Sequence, residues 1–394
     1  MMLYRRFGRT ELQMPLFSCG GMRYQFKWQD IPQSEIPDDN QENLEATIRK
    51  SVELGINHIE TARGYGSSEM QLGRILPTFP RQDLIIQTKA TPKANSEEFQ
   101  AEFEKSLQYL NLDYVDLLSI HGINNGETLN HTMRAGGCLD VARKLQAQGK
   151  VRFIGFSTHG ACETIIQAIE TDCFDYLNLH WYYINQNNWR AIEAAKRHDI
   201  GVFIISPSDK GGKLYSPPDK LVELCKPLSP MVFNDLFCLS HPQVHTLSLG
   251  AAKPSDFDEH LKTLELLEQA DEILPPILAR LEEEAIASLG EEWVKTWHLN
   301  LPTPEETPGN INIPVILWLR NLALAYDMID YAKMRYNLLG SGGHWFPGSQ
   351  ADKINQLDLR ECLSHNPYGE KILQILAEAH QLLGGEQVQR LGSD

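Results

Sequence analysis

The sequence predicts an α/β fold: a (β/α)8 TIM barrel followed by a C-terminal, mainly helical extension. Three observations carry this. Short apolar runs alternate with amphipathic helical stretches over residues 1–270, and the runs number eight. Successive runs end on polar residues, Glu60, Lys89, His121, Ser157, Asn178 and Ser206, each roughly one β-α unit after the last. An open doubly wound sheet also alternates strand and helix, but eight units favour closure into a barrel.

Residues 3–21 read as a hairpin with a Gly-Arg-Thr-Glu turn, a strand at 16–20 and then a loop from Tyr24 to Asp39. The remaining strands are expected at 56–60, 84–88, 115–120, 151–156, 175–179, 201–205 and 246–249. Helices are expected at Asn43–Leu54, Ser96–Leu110, Leu139–Gln148, Cys162–Glu170 and Trp189–His198. Period-two phasing puts Ile56, His58 and Glu60 on one strand face, as it does Ile85, Gln87 and Lys89, and Leu117, Ser119 and His121. The polar endpoints therefore point into the mouth of the barrel, where the loops after the strands carry chemistry.

The chain has 394 residues, with 36 Lys+Arg against 52 Asp+Glu, a net charge of -16 and a pI near 5.3. That balance opposes nucleic-acid backbones and anionic membranes as partners, and an anionic cofactor needs a local positive site. Seven cysteines show no Cys-x-x-Cys pair, which predicts a reducing, cytoplasmic setting. No apolar signal core and no membrane-length apolar run is present.

Glu60 closes a strand, and Tyr65 sits between Gly64 and Gly66 on the loop beyond it, before a helix that begins near Ser68. If Lys89 and His121 converge on them, the four make a proton-donating site. A phenol with an ordinary pKa of about 10 needs its anion stabilised before it can donate efficiently at neutral pH. The Lys89 ammonium would do so, Glu60 would hold that ammonium charged, and His121 would orient a substrate oxygen. Such a site protonates a carbonyl oxygen as it gains charge. The accompanying hydride cannot come from a side chain, so a nicotinamide cofactor is implied.

The run Glu60-Thr61-Ala62-Arg63-Gly64-Tyr65-Gly66-Ser67-Ser68-Glu69, with Thr88-Lys89, Ile120-His121-Gly122 and Gly155-Phe156-Ser157-Thr158, resembles the aldo/keto reductase family over roughly residues 3–268. The resemblance implies an (α/β)8 barrel and a catalytic Asp, Tyr, Lys, His tetrad, carried here by Glu60, Tyr65, Lys89 and His121. Glu60 departs from the usual aspartate by one methylene. Cofactor contacts are implied at Ser157 and Asn178 for the nicotinamide carboxamide, with Thr158 also cofactor-binding, at Ser206 in the strand-seven turn, and at Lys210, Gly211, Gly212 and Lys213 in the loop beyond, which suits a pyrophosphate. Ile205 stands where many members place a stacking ring. For the adenosine end the implied positions are Gly250, Lys253, Asp256 and Glu259. NADPH is the family default. Asp256, where an Arg would clamp the 2′-phosphate, predicts weakened discrimination against NADH.

These features imply a cytoplasmic enzyme reducing a small-molecule aldehyde or ketone. A non-catalytic nucleotide-binding sensor or regulatory subunit is the alternative. His180-Trp181-Tyr182-Tyr183 either lines a substrate pocket or packs beneath a loop. His241 and His245 have i, i+4 spacing, but Pro242 interrupts a helix and no Glu follows the first His, so no metal site is expected.

From residue 271 the alternation gives way to helices, expected at Pro275–Leu289, from Pro314 through Met334, and at Gly369–Leu383. Trp293, Trp297, Trp318 and Trp345 supply apolar mass. The domains are thus expected as a barrel at 1–270 and a helical region at 271–394. Ile311-Asn312-Ile313-Pro314 and Ala325-Tyr326-Asp327-Met328 resemble the region after the barrel in iron-sulfur relatives, where ferredoxin-like cysteines bracket the helices. A ferredoxin run ending at Pro367 would place ligands at 356, 359, 362 and 366, which are Gln356, Leu359, Cys362 and Asn366. The earlier set falls on Leu301, Pro304 and Thr307. One thiol cannot hold a cluster, so no iron-sulfur cluster is expected.

Overall fold

In the computed structural model, which describes residues 1–341 and 346–388, eight parallel strands close into a barrel. The hairpin is β1 (Tyr4–Arg6) with β2 (Gln13–Pro15), paired antiparallel. The barrel runs β3 (Phe17–Gly20), β4 (His58–Glu60), β5 (Ile85–Ala90), β6 (Val115–His121), β7 (Val151–Ser157), β8 (Tyr176–Leu179), β9 (Gly201–Ile204) and β10 (Thr246–Leu249). β10 pairs with both β9 and β3, so the sheet has no edge left to cover.

The expected elements fall within a few residues of those observed, with three differences of physical interest. The first barrel helix spans Asp38–Glu53, starting directly after Pro37 with Asp38 and Asp39 in its first turn, where carboxylates suit the helix dipole. The helix placed at Pro275 begins instead at Ala270 and runs to Leu289 with Pro275 and Pro276 inside it. The run from Pro314 is two helices, Ile313–Tyr326 and Ile329–Tyr336, because Asp327 adopts a left-handed φ of 57°.

The barrel interior is layered. At one end, Phe7 and Met14 of the hairpin segment close over Ile85, Leu117, Tyr176 and Phe203 in one apolar cluster. Burying a ring such as Phe7 completely contributes about 2–3 kcal/mol. Above this lies a layer of polar side chains, all fully buried: Ser18, His58, Gln87, Ser119, Asn178 and Thr246. They form two hydrogen-bonded groups, Ser18 with His58 and Thr246, and Gln87 with Ser119, Asn178 and Tyr176. Ser18 Oγ lies 2.6 Å from His58 Nδ1 and 2.7 Å from Thr246 Oγ1, and Gln87 Nε2 donates to Ser119 Oγ at 3.0 Å and Asn178 Oδ1 at 3.2 Å. Ser119 in turn donates to the Tyr176 hydroxyl at 3.0 Å. Burial holds the His58 imidazole down to about 3, so it stays neutral. The residues two further along these strands, Glu60, Lys89 and His121, share the inward face one layer higher.

The chain divides into two compact units, 1–211 with 231–270, and 212–230 with 271–394. Residues 212–230, which the sequence boundary at 270 leaves with the barrel, belong to the second unit. There Lys220 pairs with Glu284 at 2.6 Å, and Arg280 Nε donates to the Leu224 carbonyl at 3.1 Å. In this unit Trp293 donates to Asn321 Oδ1 at 3.0 Å and packs on Tyr368. Trp345 lies outside the described residues. The segments at 300–308 and 358–365 line a cavity of about 930 Å³ that includes Leu301, Glu306, Cys362 and His365. Asn300 Nδ2 donates to the His365 carbonyl at 3.1 Å, and Asn366 Nδ2 to the Leu299 carbonyl at 2.7 Å. Among the described residues no group of three or more His, Cys, Asp or Glu is placed to hold a metal ion, and no helix is long and apolar enough to cross a membrane.

Candidate active site

Backbone stitching explains why a loop residue reaches a strand residue 24 positions away. Thr61 N–H donates to the Gln87 carbonyl at 2.8 Å and Arg63 N–H to the Lys89 carbonyl at 2.9 Å, so the loop after β4 runs on along β5. Tyr65 N–H then closes a turn on the Ala62 carbonyl at 3.0 Å. Gly66 follows with φ 54°, and a Cβ there would lie 2.1 Å from the Lys27 carbonyl oxygen, so only glycine fits. The helix Ser68–Ile75 begins immediately beyond.

The result brings Glu60, Tyr65, Lys89 and His121 together. Lys89, 1% exposed, ion-pairs with Glu60, 3% exposed, in direct contact. Lys89 Nζ donates to the Thr61 carbonyl at 2.9 Å and to the Tyr65 hydroxyl at 3.3 Å. The Tyr65 hydroxyl lies 3.5 Å from Glu60 Oε1, and the other carboxylate oxygen accepts from Ser248 Oγ at 3.4 Å. The Tyr65 ring stands edge-on between His121 and Trp28, each 6.1 Å away between centroids. Burial pushes the Lys89 ammonium well below the ordinary lysine range, and the Glu60 carboxylate acts in the opposite sense. The extra methylene of Glu60 is accommodated beside Gly20, where a Cβ would stand 3.2 Å from Glu60 Oε2 and 2.5 Å from Ser248 Oγ.

Ser157 and Asn178 lie beside His121 in one row across three neighbouring strands, in the register His121↔Ser157↔Asn178. The Thr158 hydroxyl donates to the Ile123 carbonyl at 2.7 Å. Asn178 accepts at Oδ1 from Gln87, while its Nδ2 is buried with no partner among the described residues. A buried donor left unmade costs about 1–3 kcal/mol, which marks this atom as one awaiting an acceptor.

Ser206 takes a left-handed φ of 53° and starts the short helix Pro207–Lys210. Lys210 Nζ lies 3.2 Å from His180 Nε2, and His159 Nδ1 lies 2.6 Å from the same atom. Gly211 is packed so that a Cβ would meet the Pro207 carbonyl oxygen at 2.1 Å. Gly212 and Lys213 fall in the second unit, with φ of 131° and 57°. Of the 180–183 group, Trp181 is 1% exposed and stacks on Phe237 at 5.0 Å, while Tyr182 donates to the Ile205 carbonyl, so these two are packing residues.

Asp256 accepts from Ala252 N–H at 2.8 Å and closes the turn before the helix Phe257–Leu266, while Lys253 is exposed and Glu259 pairs with Lys262 at 2.6 Å. Arg23 is a residue that sequence reasoning missed. Its Cδ lies 3.1 Å from where a Gly250 Cβ would stand, and nothing in the spacing of residues 23 and 250 signals that approach.

Residues 18–212 match the model of the aldo/keto reductase family. L-galactose dehydrogenase of Arabidopsis thaliana is 37% identical over 124 residues, 28% of this chain and 37% of that protein. L-glyceraldehyde 3-phosphate reductase of Escherichia coli K12 is 28% identical over 174 residues, 40% of this chain and 46% of that one. The chain thus spans about half or less of the length of these two relatives. An aldo-keto reductase from Bacillus halodurans in its holo form shares the fold with a TM-score of 0.60 at 18% identity, over 71% of this chain and 96% of that one. An aldo-keto reductase from Klebsiella pneumoniae, solved in complex with NADPH, does so at 0.55 and 18%, over 69% and 96%. The closed barrel, the residues gathered at its mouth and the family match over β3 to β9 lead to one conclusion: through its barrel, this chain belongs to the aldo/keto reductase family.

Proposed function

We propose that the protein is a cytoplasmic NAD(P)H-dependent reductase of an aldehyde or ketone, with Tyr65 as the general acid. The observation that carries this reading is the buried Glu60–Lys89 pair in reach of the Tyr65 hydroxyl, with His121 beside the ring.

Each residue has a task set by its surroundings. Tyr65 gives its proton to the substrate oxygen. Lys89, donating to the phenolic oxygen, stabilises the phenolate left behind. Glu60 keeps that lysine charged against its burial, and Ser248 helps hold the carboxylate. His121, at the end of β6, directs the carbonyl toward the phenol. NADPH, with NADH as a second possibility, supplies the hydride when bound.

The residues present fit such a cofactor. Asn178 Nδ2 and Ser157 would hold the carboxamide, a reading supported by the buried Asn178 donor, which has no partner among the described residues. Ser206, Lys210 and Gly211 are assigned to the pyrophosphate, and Gly250, Lys253 and Glu259 to the adenosine end. Asp256 is occupied by Ala252 N–H, which turns part of its charge away from a 2′-phosphate, and Arg23 adds a guanidinium near Gly250.

The test is a titration of wild type and Tyr65→Phe with NADPH, followed by a panel of aldehydes and ketones. Unchanged binding with turnover reduced at least ~100-fold supports the assignment. Binding without NADPH oxidation by the wild type over the whole panel leaves the sensor reading in its place.

A further inference from the structure

We propose that Gln87, a residue wholly inside the barrel, is the positioning residue for the nicotinamide ring, acting through Asn178. This rests on the cofactor reading above.

The polar layer has a direction. Gln87 Oε1 can only accept, and it has no hydrogen-bond partner, as His58 Nε2 has none; yet the amide is close enough to the imidazole to act on it. With the imidazole neutral and its Nδ1 2.6 Å from the Ser18 hydroxyl, we assign the ring proton to Nε2. His58 Nδ1 then accepts from the Ser18 hydroxyl, and Ser18 accepts from Thr246. At the other end of the amide, Gln87 Nε2 spends its two protons on Ser119 Oγ and Asn178 Oδ1. Reversing Gln87 would set its oxygen against Asn178 Oδ1, acceptor against acceptor.

Asn178 inherits the fixed orientation. Its carbonyl oxygen is turned toward Gln87, and a planar amide then turns Nδ2 away from Gln87. Asn178 shares its row with Ser157 and His121, the level of the proposed chemistry. The layer thus delivers a donor, not an acceptor, to the nicotinamide carboxamide, and selects the ring face by holding the carboxamide oxygen. Only Asn178 would touch the ligand, through its Nδ2; Gln87, fully buried, acts through it.

Two variants test it by equilibrium binding, read as quenching of protein fluorescence. Gln87→Met removes the amide. Gln87→Glu keeps its shape and replaces the donor facing Asn178 with an acceptor, so it serves if the methionine variant does not fold. The expected result is a Kd for NADPH raised about tenfold, with the Kd for 2′-phospho-ADP-ribose, which lacks the nicotinamide, unchanged within twofold. Gln87→Met combined with Asn178→Ala should bind NADPH no more weakly than Asn178→Ala alone. Equal loss on both ligands, or additive losses in the double variant, would show a merely structural residue and overturn the proposal. A wild type that binds 2′-phospho-ADP-ribose and NADPH equally well also overturns it. A wild type that binds neither overturns the cofactor reading itself, and this proposal with it.

Discussion

Replacing Lys89 by methionine leaves Glu60, 3% exposed, with Ser248 and Tyr65 as its remaining neighbours. Breaking a buried pair from one side costs about 3–5 kcal/mol, which for a domain of this size lowers the barrel transition by roughly 6–20 °C. Glu60→Gln is cheaper. Burial already pushes the Lys89 ammonium toward its neutral form, and the amine retains the Thr61 carbonyl at 2.9 Å, so the expected loss is about 1–2 kcal/mol. The double variant Glu60→Gln/Lys89→Met removes both charges and should return to within ~1 kcal/mol of wild type, because side chains of similar volume replace an ion pair. Urea unfolding of the four proteins, followed by far-UV circular dichroism with m compared throughout, measures the cycle. These values imply a coupling energy of roughly 3–7 kcal/mol. Additive single effects, coupling below about 0.5 kcal/mol, would refute the description of Lys89 and Glu60 as one buried unit. Activity should not follow stability: the double variant, although stable, has no cation at the phenol and should be inactive on any carbonyl that the wild type reduces.

Acid should destabilise the barrel well above the carboxylate range. Burial holds His58 down to about 3 and His245 to about 4, so between pH 6 and 4.5 the unfolded chain binds two protons that the folded chain does not, and stability rises with pH. The slope from this pair is at most ~2.7 kcal/mol per pH unit, twice ~1.36, and His245→Gln should about halve it in denaturant titrations. Gly66→Ala forces a Cβ to within 2.1 Å of the Lys27 carbonyl at φ 54° and should cost roughly 1–3 kcal/mol or more, with carbonyl turnover falling further than NADPH affinity. Asn366→Ala removes the bond to the Leu299 carbonyl and should lower the stability of the second unit by about 1 kcal/mol, seen as a shift in its own unfolding phase; an unchanged midpoint would mean that bond is not formed in solution.

The parts of the fold set by local chemistry were legible in the sequence. Strand ends and inward parity followed from period-two alternation, and the meeting of Glu60, Tyr65, Lys89 and His121 followed from equal placement at strand ends. What escaped was set by contacts distant in sequence. Pro275 and Pro276 read as a helix start, but the turn upstream supplies residues that carry the helix through them. The approach of Arg23 to Gly250 depends on β3 and β10 being neighbours, which closure alone creates. Residues 212–230 leave the barrel because Lys220 and Leu224 find partners in the helix Ala270–Leu289, a pairing no periodicity encodes.

The hydrogen-bonded layer inside the barrel also bears on how the strands find their alignment. A strand that slides by two residues keeps its inward parity, so an apolar filling would tolerate the error almost silently. Here the same slide would carry Gln87 away from Asn178 and Ser119, and His58 away from Ser18, stranding polar groups where no water can reach them. The wrong shear is thereby penalised several times over, and the interior acts as a ruler that counts residues along each strand as the barrel closes.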